Sequence, residues 1–483
     1  MTKLTFLHSN DIHGNLESLA RLTTIARRER EAAESQGRTV FRWDAGDAFD
    51  RKYPECRLTR GQSLAPVLAA SGVTVQTVGN DIGVVYGSTG LTKLVSAAAY
   101  THLAANLRLQ DGRLLPGVHS TLLYEASTKV RLGLFGLTEP FDGYYSRFGI
   151  FTPDTIQVAR ECVEELNRSG ANFIVLLSHL GLHNDRVLAE EVSGIKLIIG
   201  GHTHDVLPVG EYVNSTLIVQ AGAFGQYLGR VDVTFNSSGH NMSARLIPIP
   251  LDTVPDAAVK AAVISMQAEL AIIGNEVISD LAFPLPLDYF GDSPIAHFGA
   301  QALKDRAGAE IGMVLGGAFH SPLKAGAVTR IALADAVPGV LSPVTSRVTG
   351  AALRAALERS LDPTIVSFLH RGLRGSPLGV LGLSGIEVWI DPDGAVGQRV
   401  DEVKINGELL QVERIYHVAH TDIEVEDYAF LHGKGVTPLD GEFEYMLEDV
   451  FRLYLEKSTA PVQGVQRVWH NIERLPPLSG GLN

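Results

Sequence analysis

The feature that most constrains the fold is a series of short, apolar, strand-like runs in the first half of the chain. Between several of them lie stretches whose apolar residues recur at helical spacing, such as ESLARLTTIARREREAAE. This alternation predicts an α/β fold. The continuous apolar character of FIVLL and KLIIG indicates strands that are covered on both faces. The seven runs are KLTFLHS, TVFRWDAG, VTVQTVGN, VRLGLFGL, NFIVLLSH, IKLIIGG and TLIVQAG.

The sequence changes character at about Pro248, and this change predicts a domain boundary. A chain of 483 residues is also too long for one ordinary core. We predict a first domain over residues 1–250, a linker over 251–290 that includes a helix, and a second α/β domain over 291–483. In the second domain, VTGAALRAALERSL and EYMLEDVFRLYLEK are predicted helices, and GIEVWID is a predicted strand.

Charge and composition restrict the partners and the location of the protein. With 41 basic and 54 acidic residues, the formal net charge is -13, which disfavours nucleic acid polymers and anionic lipid. We identify no run of about 18 apolar residues, so no membrane insertion is expected. The two cysteines, Cys56 and Cys162, form no C-x-x-C pair, and the chain opens without a signal-peptide pattern. We therefore predict a cytoplasmic protein, and make no prediction of oligomeric state.

Five polar clusters stand directly after predicted strands. The carboxyl ends of strands in an α/β sheet meet at one edge, so clusters far apart in sequence can converge there. Together they offer carboxylate, amide and imidazole donors, a mixture that suits borderline divalent metals such as zinc, manganese, iron or cobalt. The clusters are Asp11 with His13, Gly46-Asp47, Gly79-Asn80, His179, and His202 with His204.

These motifs resemble the signature of calcineurin-like dinuclear metallophosphoesterases. The opening FLHSNDIHGN, the segment GLTEP and the second domain are similar to the 5'-nucleotidase and UDP-sugar hydrolase family. A non-histidine after TVGN, and LLSHLGLHNDRVLAEEVSGIKLIIGGHTH, resemble a cytoplasmic subgroup of bacilli. The resemblance implies an N-terminal four-layer αββα sandwich, joined by a linker helix to a C-terminal α/β 5'-nucleotidase-type domain that completes a cleft.

The resemblance also implies a ligand set for two divalent ions, with manganese or zinc favoured and iron or cobalt as alternatives. Hydroxide held between the ions would attack phosphorus. In this arrangement Asp47 bridges both ions, since it belongs to both sets. The first set is Asp11, His13, Asp47 and His204, and the second is Asp47, Asn80, His179 and His202.

The chain departs from the family at Asp81, where the resemblance implies a histidine that contacts the phosphate. We take Asp81 and Asn80 as candidate catalytic residues. A carboxylate repels a phosphoryl dianion unless it is protonated or turned toward a metal or another cation. The alternative is that Asp81 only caps the following turn. Loss of general acid assistance would cost about 10² to 10⁴ in rate without abolishing attack by hydroxide.

The second domain departs from the family as well. The segment VLGGAFHSPLKAG resembles one in which an asparagine and an arginine contact the substrate, but Leu315 and His320 stand in their places. The base-stacking motif is replaced by PGVL at residues 338–341. The remaining candidates for substrate binding are His320, Tyr428 and Phe430.

The predicted function is metal-dependent hydrolysis of a small phosphate ester, a nucleotide or a nucleoside diphosphate derivative. An alternative of the same class is a phosphodiesterase that acts on a cyclic nucleotide or a dinucleotide, because a diester carries one charge fewer near Asp81. An alternative of another class is a catalytically quiet protein that binds metal or senses a ligand. Against this alternative, all seven expected metal ligands are present.

Overall fold

A computed structural model describes residues 2–237, 239–370, 373, 375–426, 429–441, 445–457, 468–472 and 474–476. Within it the chain divides into two compact units, Met1–Ala271 and Ile272–Asn483. We call these the first unit and the second unit.

Two sheets form the centre of the first unit, and all seven runs that the sequence marks as strands lie in them. The seven-stranded sheet has the order Gly239–Pro248, Tyr227–Asn236, Lys3–Ser9, Thr39–Asp44, Val75–Thr77, Thr101–Leu103 and Val118–His119. The six-stranded sheet has the order Glu211–Val213, Thr216–Val219, Ile195–Ile199, Phe173–His179, Val130–Thr138 and Thr121–Ser127. A small separate sheet pairs Arg108–Leu109 with Ile150–Phe151.

The two large sheets pack face to face. Phe6 and Trp43 of the first sheet share one buried cluster with Phe173 and Val175 of the second. Because side chains alternate along a strand, Ile174 points to the opposite face of the second sheet, where it packs with helix residues. Helices therefore cover the outer faces, and the predicted four-layer αββα sandwich is confirmed.

The helices of the first unit have apolar residues at the spacing that packing against a sheet requires. In Thr155–Arg168, Val158, Cys162 and Leu166 recur every four residues and are buried on the sheet. The side chain of Asp154 caps this helix by accepting a hydrogen bond from a backbone N–H. The α-helices of the unit are Leu16–Glu34, Pro54–Thr59, Ala65–Ala70, Asn80–Ala97, Asp142–Tyr145, Thr155–Arg168, Leu182–Glu191 and Ala257–Gly274, the last ending just beyond the unit boundary.

The second unit is also α/β and is built around one apolar core. Its five-stranded sheet has the order Leu381–Ser384, Ile311–Leu315, Ile415–Thr421, Pro343–Thr349 and Val436–Gly441. A four-stranded sheet has the order Glu408–Leu409, Val400–Ile405, Ile386–Ile390 and Trp469–His470, and a further pair is Val277–Leu281 with Gly326–Thr329. Its α-helices are Pro294–Ala307, Arg330–Ala336, Gly350–Arg359, Pro363–Val366 and Leu447–Lys457. The two helices and the strand predicted there are all confirmed.

The predicted linker helix is observed as Ala257–Gly274. Val259 and Met266 pack against a core of the first unit, whereas Ile264 is exposed. By length and composition this helix is apolar enough to cross a membrane, so the expectation that no such segment exists is wrong. This indication rests on length and composition alone, and core helices of soluble proteins satisfy the same criterion.

Candidate metal centre

The predicted ligands converge at the carboxyl ends of strands from both large sheets of the first unit. The strand Lys3–Ser9 runs parallel to Thr39–Asp44, and Phe173–His179 runs parallel to Ile195–Ile199. Because the two sheets face one another, loops that follow these strands can meet across the sandwich. The structure brings all seven predicted ligands into contact there: Asp11, His13, Asp47, Asn80, His179, His202 and His204.

One donor set consists of Asp11, His13 and His204. The Nε2 atoms of the two histidines are 3.1 Å apart, and Oδ1 of Asp11 lies 3.6 and 3.5 Å from them. Oδ1 of Asp11 is buried and has no hydrogen-bond partner among the described residues. Donors held about 2.0–2.2 Å from one cation lie roughly 3 to 3.5 Å from one another. These spacings and the orphaned carboxylate oxygen fit a metal ion.

The other donor set consists of Asp47, His179 and His202. Nδ1 of His179 donates a hydrogen bond to the backbone oxygen of Ala45 over 2.7 Å, so its Nε2 carries a lone pair. That lone pair faces Oδ2 of Asp47 at 3.1 Å. Two acceptors at this distance repel one another unless a cation or a proton lies between them.

Asn80 completes the second set. Its Oδ1 lies 3.2 Å from Nε2 of His179. The position that this oxygen occupies is also 3.0 Å from Nδ1 of His202 and 3.2 Å from Oδ2 of Asp47. The amide oxygen therefore faces the three other donors, as a fourth ligand to the same ion would.

Five of the seven ligands have left-handed backbone conformations, which residues other than glycine rarely adopt. Strain of this kind persists only where the surrounding structure imposes it, and it is concentrated at functional sites. The φ angles are 50° at Asp11, 47° at His13, 47° at Asp47, 76° at His202 and 61° at His204.

The carboxylates of the site stabilise the protonated form of two histidines. Burial acts to lower the pKa of His13, but the neighbouring carboxylates of Asp11 and Asp81 outweigh it and raise the pKa to about 10. Burial likewise opposes the effect of Asp47 on His179, whose pKa is raised to about 9. Burial and the neighbouring His179 lower the pKa of His202 to about 4. The centre thus attracts cations, and protons occupy His13 and His179 when metals do not.

Asp81 points into the same centre. Its Oδ2 lies 3.2 Å from Nδ1 of His13, and its backbone N–H donates to Oδ1 of Asp47 over 3.0 Å. The side chain is 24% exposed, so it borders the site without being sealed in it. The carboxylate is thus turned toward the imidazole of His13.

The sequence reasoning missed three residues around the centre. Asn10 donates to Oδ2 of Asp11 over 2.7 Å, and its position directly before a ligand was the available signal. The ring centroid of Phe224 lies 5.6 Å from that of His13, and Nζ of Lys52 lies 5.8 Å from the Phe224 centroid. No sequence pattern marks Phe224 or Lys52, because they approach the site only through the fold.

The substrate candidates of the second domain lie in the second unit. Nε2 of His320 is 3.0 Å from the backbone oxygen of Leu373 and 3.0 Å from Oγ of Ser376, so the ring is bound to a segment 53 to 56 residues further along the chain. The Phe430 side chain is fully buried in the core of the second unit. This burial corrects its assignment as a stacking residue, because the ring has no exposed face. Tyr428 lies outside the described residues.

The first unit is a four-layer αββα sandwich with two clusters of candidate metal-donor side chains, and a second α/β unit follows it in the chain. This combination is typical of a class of hydrolases. The comparisons with known proteins identify the class as metallophosphoesterases, which hydrolyse phosphate esters. Residues 275–439 match the family described as 5'-nucleotidase, C-terminal domain. Residues 275–439 are therefore similar to the C-terminal domain of 5'-nucleotidases, and the predicted resemblance is confirmed.

Individual relatives agree with this assignment. The chain is 27% identical over 428 residues to the uncharacterized metallophosphoesterase YunD of Bacillus subtilis, covering 87% of this chain and 92% of YunD. It is 27% identical over 472 residues to the trifunctional nucleotide phosphoesterase protein YfkN of the same organism, covering 86% of this chain and 31% of YfkN. Haemophilus influenzae NAD nucleotidase has the same fold, with a TM-score of 0.59, 16% identity and coverage of 97% of this chain and 99% of that one.

Proposed function

We propose that this protein is a dinuclear metal-dependent phosphoesterase that hydrolyses a nucleotide or a nucleoside diphosphate derivative. The single observation that carries the proposal is that Asp47 joins two donor sets. It belongs to the set of His179 and His202, and one of its carboxylate oxygens also lies within 4.8 Å of donor atoms of His13 and Asp81. A short carboxylate between two sets of donors suits a two-metal hydrolase.

The ligands would divide between two divalent ions, with manganese or zinc proposed. Asp11, His13, Asp47 and His204 would hold the first ion, and Asp47, Asn80, His179 and His202 would hold the second. When bound, such ions activate water and neutralise charge on phosphoryl oxygens.

The protein's own groups orient these donors. The backbone oxygen of Ala45 fixes the tautomer of His179, and Asn10 holds the carboxylate of Asp11. Lys52 is half exposed, pairs with Asp50 over 3.2 Å and lies beside the Phe224 ring, so it places a cation near the site.

The substrate class rests on the relatives and on the second unit. YfkN is a nucleotide phosphoesterase by name, and residues 275–439 match the 5'-nucleotidase C-terminal domain. Both support a small phosphorylated substrate.

A second candidate function is hydrolysis of a phosphodiester, and Asp81 favours it. Its carboxylate stands at the border of the site, and a diester has one negative charge fewer to bring near it than a monoester dianion. Cyclic nucleotides and dinucleotides are the diesters of suitable size. Cytoplasmic location stays a prediction, and the free, buried Cys56 and Cys162 support it.

The test is an assay of metal-reconstituted protein. After removal of metal and reconstitution with manganese or zinc, we expect two ions per chain and hydrolysis of nitrophenyl phosphate, its bis ester, or both. A screen of nucleoside mono- and diphosphate derivatives and cyclic dinucleotides then names the substrate. Preference for the bis ester would select the diesterase alternative.

Asp47→Asn is the decisive variant for the two-metal arrangement. Because Asp47 serves both donor sets, we expect loss of at least one ion per chain and at least about a 10³-fold fall in kcat. Two bound ions with no hydrolysis of any ester by the wild type would overturn the enzymatic function and leave a metal-binding protein. Full activity of Asp47→Asn would exclude the dinuclear arrangement.

A further inference from the structure

Asp81 contacts one ring nitrogen of His13, while the other ring nitrogen faces the candidate metal centre. Of the two ring nitrogens of His13, Nε2 faces the first donor set, 3.1 Å from Nε2 of His204 and 3.6 Å from Oδ1 of Asp11. Nδ1 faces Oδ2 of Asp81 at 3.2 Å. We propose that Asp81 is a positioning residue, which accepts a hydrogen bond from Nδ1 of His13 and so presents the lone pair of Nε2 to the first metal ion.

Elementary imidazole chemistry supports this role. A neutral imidazole carries one N–H, and the partner of one nitrogen decides whether the other is free to bind a metal. A carboxylate only accepts hydrogen bonds, so Asp81 selects the tautomer with Nδ1 protonated. The carboxylate also increases the electron density at Nε2, and so strengthens it as a ligand.

The aromatic contacts of His13 do not decide the rotation of its ring, which depends on Asp81 at Nδ1 and on the donor set that faces Nε2. The backbone of His13 is in the left-handed region, with φ of 47°, so no regular element orients the side chain. Phe224 and His204 contact the ring at centroid distances of 5.6 and 5.0 Å. Ring contacts of this kind restrict the plane of the imidazole but do not choose between its nitrogens.

The position of Asp81 is itself held by the helix and by a backbone hydrogen bond. It lies in the first turn of the helix Asn80–Ala97, where the helix dipole favours a negative side chain. Its backbone N–H donates to Asp47 over 3.0 Å, while its neighbour Asn80 belongs to the second donor set. One helix N-terminus therefore places a ligand for the second ion and the support of a ligand for the first.

This inference rests on the proposed two-metal function, but its test reads metal binding and not turnover. The affinities of wild type, Asp81→Ala and Asp81→Asn for manganese and zinc are measured by competition with a chelator, with metal analysis of the dialysed protein. We expect Asp81→Ala to weaken the binding of one ion by about 10- to 100-fold. Asp81→Asn should recover most of the loss, because its amide oxygen still accepts a hydrogen bond from Nδ1.

A spectroscopic measurement gives a second readout. In protein loaded with cobalt(II), the visible bands report the ligand geometry, and Asp81→Ala should shift them while Asp81→Asn stays close to wild type. The matched control is Asp256→Ala, which removes another carboxylate of the first unit, one that pairs with Arg27. It should leave both the affinities and the spectrum unchanged.

The outcomes separate the two proposals. Unchanged affinity and an unchanged spectrum in Asp81→Ala would overturn the positioning role, whatever the activity. A loss that Asp81→Asn does not relieve at all would also overturn it, in favour of direct metal ligation by the carboxylate. If the wild type binds two ions but hydrolyses no ester, the proposed function fails, while the positioning role is still decided by the affinities.

Discussion

At the scale of single residues, the candidate metal centre contains glycines packed directly against its candidate ligands. A Cβ atom on Gly79 would lie 2.0 Å from Oδ1 and 2.3 Å from the backbone nitrogen of Asp47. At Gly46, which has φ of 98°, a Cβ would lie 2.6 Å from Nδ1 of His179. Contacts this short cannot exist in a folded protein. Gly46 and Gly79, which precede Asp47 and Asn80 in the motifs, therefore have to be glycines because a side chain would collide with His179 or Asp47.

Gly79→Ala tests this requirement. The added methyl group must displace the Asp47 carboxylate, so we expect metal affinity and kcat to fall by at least about tenfold. Metal competition and steady-state kinetics measure the two effects. Gly143→Ala is the control, because a Cβ at Gly143 meets no atom within 4 Å and should change neither quantity. Wild-type affinity in Gly79→Ala would mean that the close approach is relieved without moving the ligand.

At the scale of elements, the helix Asn80–Ala97 does more than connect two strands. Its first turn supplies Asn80 and Asp81, and it is interrupted at Gly87, where φ is 58° and ψ is -156°. A Cβ at Gly87 would lie 2.5 Å from the ring of Phe148. The interruption is a kink between the first turn, which carries Asn80 and Asp81, and the second half, which packs through Leu91 and Leu94 in a core of the first unit.

Gly87→Ala should destabilise the first unit by about 2–3 kcal/mol, since a positive φ is unfavourable for alanine and the methyl group also meets Phe148. Gly72→Ala is the matched control: Gly72 has φ of 80° but open space around its Cβ position. Urea unfolding of both variants separates the two effects. Equal losses in the two variants would show that backbone strain alone accounts for Gly87, with no contribution from Phe148.

At the scale of the whole molecule, each unit contains a fully buried carboxyl group. Burial raises the pKa of Asp185 in the first unit and of Glu424 in the second, each to about 7. Glu424 accepts hydrogen bonds from the backbone N–H groups of Leu315 and Thr421 over 2.7 and 2.8 Å, and it thereby joins two strand ends. Hydrogen bonds stabilise the charged form and so act to lower the pKa of each group, but the desolvation that burial causes is the larger effect on both.

The raised pKa of Glu424 predicts how stability varies with pH. Because the folded pKa exceeds the unfolded one, the contribution is fully present below about pH 4.5 and is lost as pH rises through about 7. The loss amounts to a few kcal/mol at most, since one pKa unit corresponds to about 1.4 kcal/mol. Chemical denaturation of the second unit across this range measures it.

Glu424→Gln isolates this contribution from the other titrating groups. The variant cannot ionise at this position, so its stability should vary less with pH than that of the wild type. It should also be about 1–3 kcal/mol less stable at the acidic end, because its amide nitrogen faces a backbone N–H. Parallel pH profiles for wild type and variant would contradict the role of Glu424.

The sequence by itself determined the α/β class and the seven strand runs, and it predicted the seven candidate metal-donor residues that the structure brings together. These follow from local patterns: apolar runs of strand length, and donor residues placed directly at strand ends. The tertiary structure decided what depends on segments distant in the chain. It turned Asp81 toward His13, 68 residues away, and it buried Phe430 in a core instead of exposing it for stacking. It also placed Phe224 beside the histidines. A side chain's hydrogen-bond partner and exposure depend on which elements pack around it, and no local pattern records that packing.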